Sequence, residues 1–340
     1  MSLVQTVSLS EATSSRGWRL RFGHPGAVLR PTFVMLAFSL LISARDMRAQ
    51  GQGQPLIDTL QYAVLRVQPS QTNAAIHSWD TTHVVYYDPT RRPNKILLWL
   101  AGTNGTPLNI PTALFATALA QGYRIIALSY ITSPAVSQTC VGDVLDSNIM
   151  CPEMFRRKRI YGDNVFPLIG DAPQDAIIPR FVSLLQWLSK NDARGNWSHY
   201  LSDDGSKPRW SNIAVSGQSQ GGGMAEFIAQ HEIVARVLSF SGGWDWANSR
   251  EKKIATWYAN RSVTPMDRWF ATFNVNELAA TQLREICSVL QIPAGHIFAL
   301  DQPLMNTSRS TPGPNPFHGD GIRNTAYQPV WLKMLGSGVD

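Results

Sequence analysis

Cysteine is scarce, with three residues in 340, and they lack the ligand partners that a zinc site gathers at its usual spacing, so no metal-held fold is expected. Charged residues make up only 16% of the chain. Nowhere do the basic ones form a stripe interleaved with aromatics, which sets nucleic-acid binding aside. The apolar stretch near the N-terminus, Phe33 to Ser43, is 11 residues long and holds two serines. That is well short of the roughly 20 residues that cross a bilayer, so no stable membrane anchor is expected. Internal repeats and low-complexity linkers are missing too, and one domain is the default for this length.

What stands around that apolar stretch is ordered. Arg16, Arg19, Arg21 and Arg30 precede it, and small and polar residues around Ala49-Gln50-Gly51 follow it. This is the order of an export signal. The expected division is a leader over residues 1–49 and a domain over residues 50–340, with the protein secreted or periplasmic. The six arginines of the leader, less Glu11 and Asp46, carry +4 of the formal net charge of +6 and leave +2 to the mature chain. Export also permits a disulfide, and Cys140 and Cys151, 11 positions apart in one segment, are its natural partners. Cys287 lies far downstream in a helical pattern.

From residue 80 onward, apolar runs alternate with helical patterns, the signature of strands joined by crossover helices. Strands are expected at His83–Tyr87, at Lys95–Leu100 ahead of the turn Ala101-Gly102-Thr103-Asn104-Gly105, and at Tyr123–Tyr130. A helix should run from about Pro111 to Gln121. Some forty residues after Tyr130 show no periodicity and hold the cysteine pair, as a functional cover loop would. A helix over Ala172–Asn191 follows from the spacing of Ile177, Phe181, Leu184, Leu185 and Leu188. Ile213-Ala214-Val215 then leads as a short buried strand into Gly217-Gln218-Ser219-Gln220-Gly221, with a helix expected over Gly222–Gln230. Further strands are expected at Val237–Phe240, Trp269–Val275 and His296–Leu300, with a helix at about Ala279–Leu290 between the last two.

Strand, sharp turn and helix around a GxSxG segment are what a nucleophilic serine requires. Glycines two positions before and after Ser219 remove side chains from a crowded turn, so the serine can adopt a strained conformation with its hydroxyl outward. The bland alternative is close helix packing beside a glycine-rich nest. The segment VSGQSQGGG resembles the elbow of the α/β-hydrolase superfamily, its serine esterase and lipase branch, with a likeness covering about residues 76 to 336. That resemblance implies a mostly parallel central sheet with helices on both faces. It also implies that the backbone amide of Gln220 would be one oxyanion donor, with the second in the loop Gly102-Thr103-Asn104, where Thr103 is the first candidate. The loop departs from the superfamily's common His-Gly, having Ala101-Gly102 instead.

The order implied by the resemblance is serine, acid, histidine. His318, in a proline-rich loop beyond the last expected strand, fits the base. His24, His77, His83, His199 and His231 come too early, and His296 begins a strand. Glu277, past the strand Trp269–Val275, is the first candidate for the acid, and Asp245, past the preceding strand, is the second. Trp244 and Trp246 flank Asp245 beside the expected cleft, where indole rings would suit an acyl or aromatic group, or serve core or lid packing. The expected activity is cofactor-free hydrolysis of a small-molecule carboxylic ester through an acyl-enzyme. A peptidase or acyltransferase on the same residues, or a binding protein that keeps the fold without activity, are the alternatives.

Overall fold

A computed structural model describes residues 57–305 and 314–339. The expected leader therefore lies outside the described residues, as does the start of the proline-rich loop before His318. Among the described residues no helix is long and apolar enough to cross a membrane.

Eight strands form one sheet: β1 Ala63–Val67, β2 His83–Tyr87, β3 Ile96–Leu100, β4 Arg124–Ala127, β5 Ile213–Gln218, β6 Arg236–Phe240, β7 Trp269–Asn274 and β8 Ile297–Leu300. Their order is β1-β2-β4-β3-β5-β6-β7-β8. β2 runs antiparallel to both β1 and β4, and the other pairs are parallel. The helices are α1 Pro69–Thr72, α2 Thr112–Ala120, α3 Val136–Thr139, α4 Gly142–Ser147, α5 Cys151–Tyr161, α6 Ile177–Asn191, α7 Gln220–His231, α8 Ala280–Val289 and α9 Gln328–Leu335.

Central strands read as unbroken apolar runs because both of their faces are covered. In β3, Ile96, Leu98 and Leu100 enter one core with Phe181, Leu184 and Leu188 of α6 and Phe227 and Ile228 of α7. Leu97 and Trp99 point the other way, into a second core with Leu114 and Phe115 of α2 and Trp331 and Met334 of α9. The period of two along the strand thus supplies two hydrophobic layers from one sequence.

Several elements lie outside the sequence expectation. β1 lies ahead of residue 80 on the sheet edge, where half-buried residues replace a buried apolar run. The cover segment is helical rather than irregular: α3, α4 and α5 occupy it, and α5 buries Arg156, Lys158 and Arg159 completely or nearly so. Charged residues turned inward hide the apolar periodicity by which a helix is ordinarily read. Cys140 and Cys151 are joined, closing a loop around α4.

Candidate active site

Register sets the site. Leu100 of β3 pairs with Gly217 of β5, and Gln218 pairs with Phe240 of β6. The C-terminal ends of three adjacent strands therefore meet, and the loops that leave them share one edge of the sheet. The chain turns at Ser219, with φ 56° and ψ −124°, between the last residue of β5 and the first of α7. A positive φ in a non-glycine residue is strained and is found where the surroundings over-determine it. Here the Ser219 amide donates to the Phe240 carbonyl at 3.0 Å. The flanking glycines are required by contact: a Cβ on Gly221 would lie 2.0 Å from the Leu100 carbonyl oxygen, and one on Gly217 would lie 2.3 Å from the Gly221 carbonyl carbon.

α7 begins at Gln220, two residues ahead of expectation, and Ser219 at its N-cap makes no side-chain capping bond. As the first residue of α7, Gln220 has a backbone amide without a partner within the helix. The Gln220 side chain is buried and fully engaged: its Nε2 donates to the Thr132 carbonyl at 2.9 Å, and its Oε1 accepts from the Val136 amide at 3.2 Å. Beside it, Gly102 to Gly105 close a turn through a 2.9 Å bond from the Gly105 amide to the Gly102 carbonyl. Asn104 holds the left-handed position of that turn at φ 59°. Thr103 of this turn, Ser219 and Gln220 line a narrow cleft of about 30 Å³ together with Val136, Arg156 and Trp244.

His318 sits on a short 3-10 segment, Pro316–Ile322. Its Nδ1 lies 2.7 Å from Glu277 Oε2, with the Glu277 carboxylate wholly shielded from solvent and the imidazole 20% exposed. The other carboxylate oxygen, Oε1, accepts from Ser241 Oγ at 2.8 Å and from the Asn274 amide at 2.9 Å. Three hydrogen-bond partners on a buried carboxylate fix its plane. The imidazole packs edge-on against Trp244, 5.1 Å between centroids. Gln218 Nε2 reaches the His318 carbonyl at 3.1 Å, which ties the histidine segment to the elbow.

Asp245 is spoken for. Arg156 binds it in a fork, Nε to Oδ2 at 2.6 Å and Nη2 to Oδ1 at 2.8 Å, and the Trp257 indole adds a third bond at 2.9 Å. Of the two candidate acids, Glu277 is the one that meets the histidine. Trp244 lines the Ser219 cleft, while Trp246 lines an adjoining cavity of about 270 Å³. Arg156, Ser241 and Gln218 were not singled out from sequence. Arg156 lies in the segment without periodicity, and single serines and glutamines carry no signal of their own.

The chain has the α/β-hydrolase fold. No family profile matches the sequence, and neither does any curated protein. Among solved structures, a putative dienelactone hydrolase from Klebsiella pneumoniae is similar at 9% identity and a TM-score of 0.45, over 81% of this chain and 98% of that one. An S-formylglutathione hydrolase from Staphylococcus aureus is similar at 11% identity and a TM-score of 0.44, over 81% and 97%. An esterase from Pyrococcus furiosus is similar at 12% identity and a TM-score of 0.42, over 83% and 98%. The fold itself is read from the strand order and the crossover helices of this chain.

Proposed function

We propose that the protein is an exported serine hydrolase of carboxylic esters, with Ser219 as nucleophile, His318 as base and Glu277 as its orienting acid. The observation that carries this reading is the 2.7 Å pairing of His318 Nδ1 with a shielded Glu277 carboxylate, tied through Gln218 to the strained elbow at Ser219. With Nδ1 donating to Glu277, the neutral imidazole presents Nε2 as an acceptor. Nε2 would take the Ser219 proton as Oγ attacks the ester carbonyl, and Glu277 would stabilise the imidazolium.

The tetrahedral oxygen would be held by the amides of Gln220 and Thr103, each such donor being worth on the order of 10² to 10³ in rate. Collapse of the intermediate expels the alcohol, which takes the proton back from Nε2. Water, activated by His318, then hydrolyses the acyl-Ser219 ester to the free acid. No step calls for a cofactor, and the partner is a small-molecule ester. Export is supported by the basic-then-apolar order of the leader and by the Cys140–Cys151 disulfide, a bond favoured in oxidising compartments.

A fluorophosphonate probe tests the reading: it should label the wild-type protein and leave Ser219→Ala unmodified. Folded wild-type protein that stays unlabelled would overturn it. Turnover of nitrophenyl esters without turnover of the matching anilides separates an esterase from a peptidase.

A further inference from the structure

The 270 Å³ cavity beside the Ser219 cleft is walled on one side by Trp244 and Trp246 and on the other by Val136, Cys140, Val141, Leu145 and Pro152. Val136, Ser137, Trp244 and Asp245 line both spaces, so the cavity adjoins the cleft. Of the four polar residues along the lining, Asp245 and Ser249 are occupied, and Ser137 and Lys252 are the other two. The Asp245 carboxylate is turned into Arg156 and Trp257, and the Ser249 hydroxyl donates to Asp146. What the cavity presents to a guest is mainly aliphatic and indole surface. Its volume is nearly twice the roughly 150 Å³ that accommodates benzene in an engineered cavity, which scales to on the order of ten heavy atoms.

The far wall is built from the loop closed by the Cys140–Cys151 disulfide, which contains α4. Two ties hold that wall in register with the chemistry. Gln220 bonds the Val136 amide from the residue next to the nucleophile. Asp146, on α4, accepts the Ser249 amide at 2.7 Å from the opposite wall. A wall fastened at the elbow, at the mouth and through a covalent bridge has a fixed distance from Ser219, and a fixed distance selects chain length.

Resting on the reading of Ser219 as nucleophile, we propose that this cavity is the acyl pocket, that the preferred substrates are esters of unbranched aliphatic acids of about eight to ten carbons, and that the disulfide-closed loop sets the upper limit. Aliphatic and indole surfaces that converge on the nucleophile reward each added methylene until the far wall is met.

The test is a series of nitrophenyl esters from acetate through butyrate, octanoate and decanoate to palmitate, with benzoate alongside. Wild-type kcat/KM should rise at least tenfold from acetate to octanoate and fall again at palmitate. Leu145→Trp, which fills the cavity, should lower the octanoate-to-acetate ratio at least tenfold. Val141→Trp, at a half-exposed position of the same lining, does the same should the first variant fold poorly. A flat profile, an acetate or benzoate optimum, or a ratio that neither variant moves overturns the pocket assignment while fluorophosphonate labelling still stands. Loss of labelling in folded wild-type protein overturns the nucleophile and the pocket together.

Discussion

Asp245 and Glu277 are both buried carboxylates just past the ends of neighbouring strands, and their partners give them different work. Glu277 faces a histidine; Asp245 faces an arginine. Replacing Glu277 with Gln keeps the volume and one acceptor oxygen but removes the charge that favours the imidazolium. Glu277→Gln should lose on the order of 10³ to 10⁴ in kcat toward a nitrophenyl ester while melting close to wild type. Asp245→Asn leaves the buried Arg156 guanidinium without its counter-charge, and breaking such a pair costs about 3 to 5 kcal/mol. Its melting temperature should fall by on the order of 10 °C. Calorimetry and steady-state kinetics on the two variants test the proposed division into a catalytic Glu277 and a structural Asp245; equal thermal losses would contradict it. The sequence placed both residues at strand ends and put Glu277 first, but it could not show which side chain each one meets, because those partners lie more than forty residues away along the chain.

At the scale of elements, the segment between β4 and α6 carries the largest difference between sequence and structure. Ordinary amphipathic helices such as α6 were legible because Ile177, Phe181, Leu184, Leu185 and Leu188 mark one face at helical spacing. α5 was not, because what it buries is partly cationic: Arg156 onto Asp245, Arg159 onto Asp171, and the Lys158 ammonium onto the Phe166 carbonyl at 2.9 Å. Asp245 lies 89 residues away, and Asp171 and Phe166 lie in the irregular stretch 12 and 8 residues further on, so no helical periodicity announces them. The disulfide that opens α5 closes a short loop, and on a chain-entropy view it stabilises the fold by about 3 kcal/mol. Cys140→Ser combined with Cys151→Ser should lower the unfolding free energy by about that amount in a denaturant titration. A change under about 1 kcal/mol would mean that the two walls are held by Gln220 and Asp146 alone.

Over the whole molecule, two buried titratable groups outside the site oppose each other. Burial raises the Glu226 carboxyl from its ordinary 4.5 to about 7, against the bond from Ser239 and the field of Arg156. The folded state therefore keeps a proton that the unfolded chain releases, and stability falls as pH rises from about 4.5 to 7. Burial, with Arg180 nearby, lowers His83 from 6.5 to about 3. There the unfolded chain takes up a proton that the folded state refuses, and stability falls as pH drops from 6.5 toward 3. Between pH 4.5 and 6.5 the two slopes have opposite sign and largely cancel. Glu226→Gln should remove one of them, making stability climb across that interval and raising it above wild type at pH 8 by about 1 to 3 kcal/mol. Chemical denaturation at pH 5, 6.5 and 8 measures this; parallel curves for variant and wild type would refute it.

The sequence by itself determined what is local or periodic: the strand and helix alternation, the glycine-flanked turn at Ser219 and the spacing of the cysteine pair. A period of two or of 3.6 is written into neighbouring residues, and a glycine at a turn needs no distant partner to be read. Tertiary structure decided the rest. It decided that Glu277 rather than Asp245 meets His318, that Arg156 is buried under the elbow, and that a disulfide-closed wall stands opposite Trp246 across a cavity. Each of these depends on which strand ends lie side by side, and that follows from the pairing of β3, β5, β6 and β7 rather than from any segment read alone.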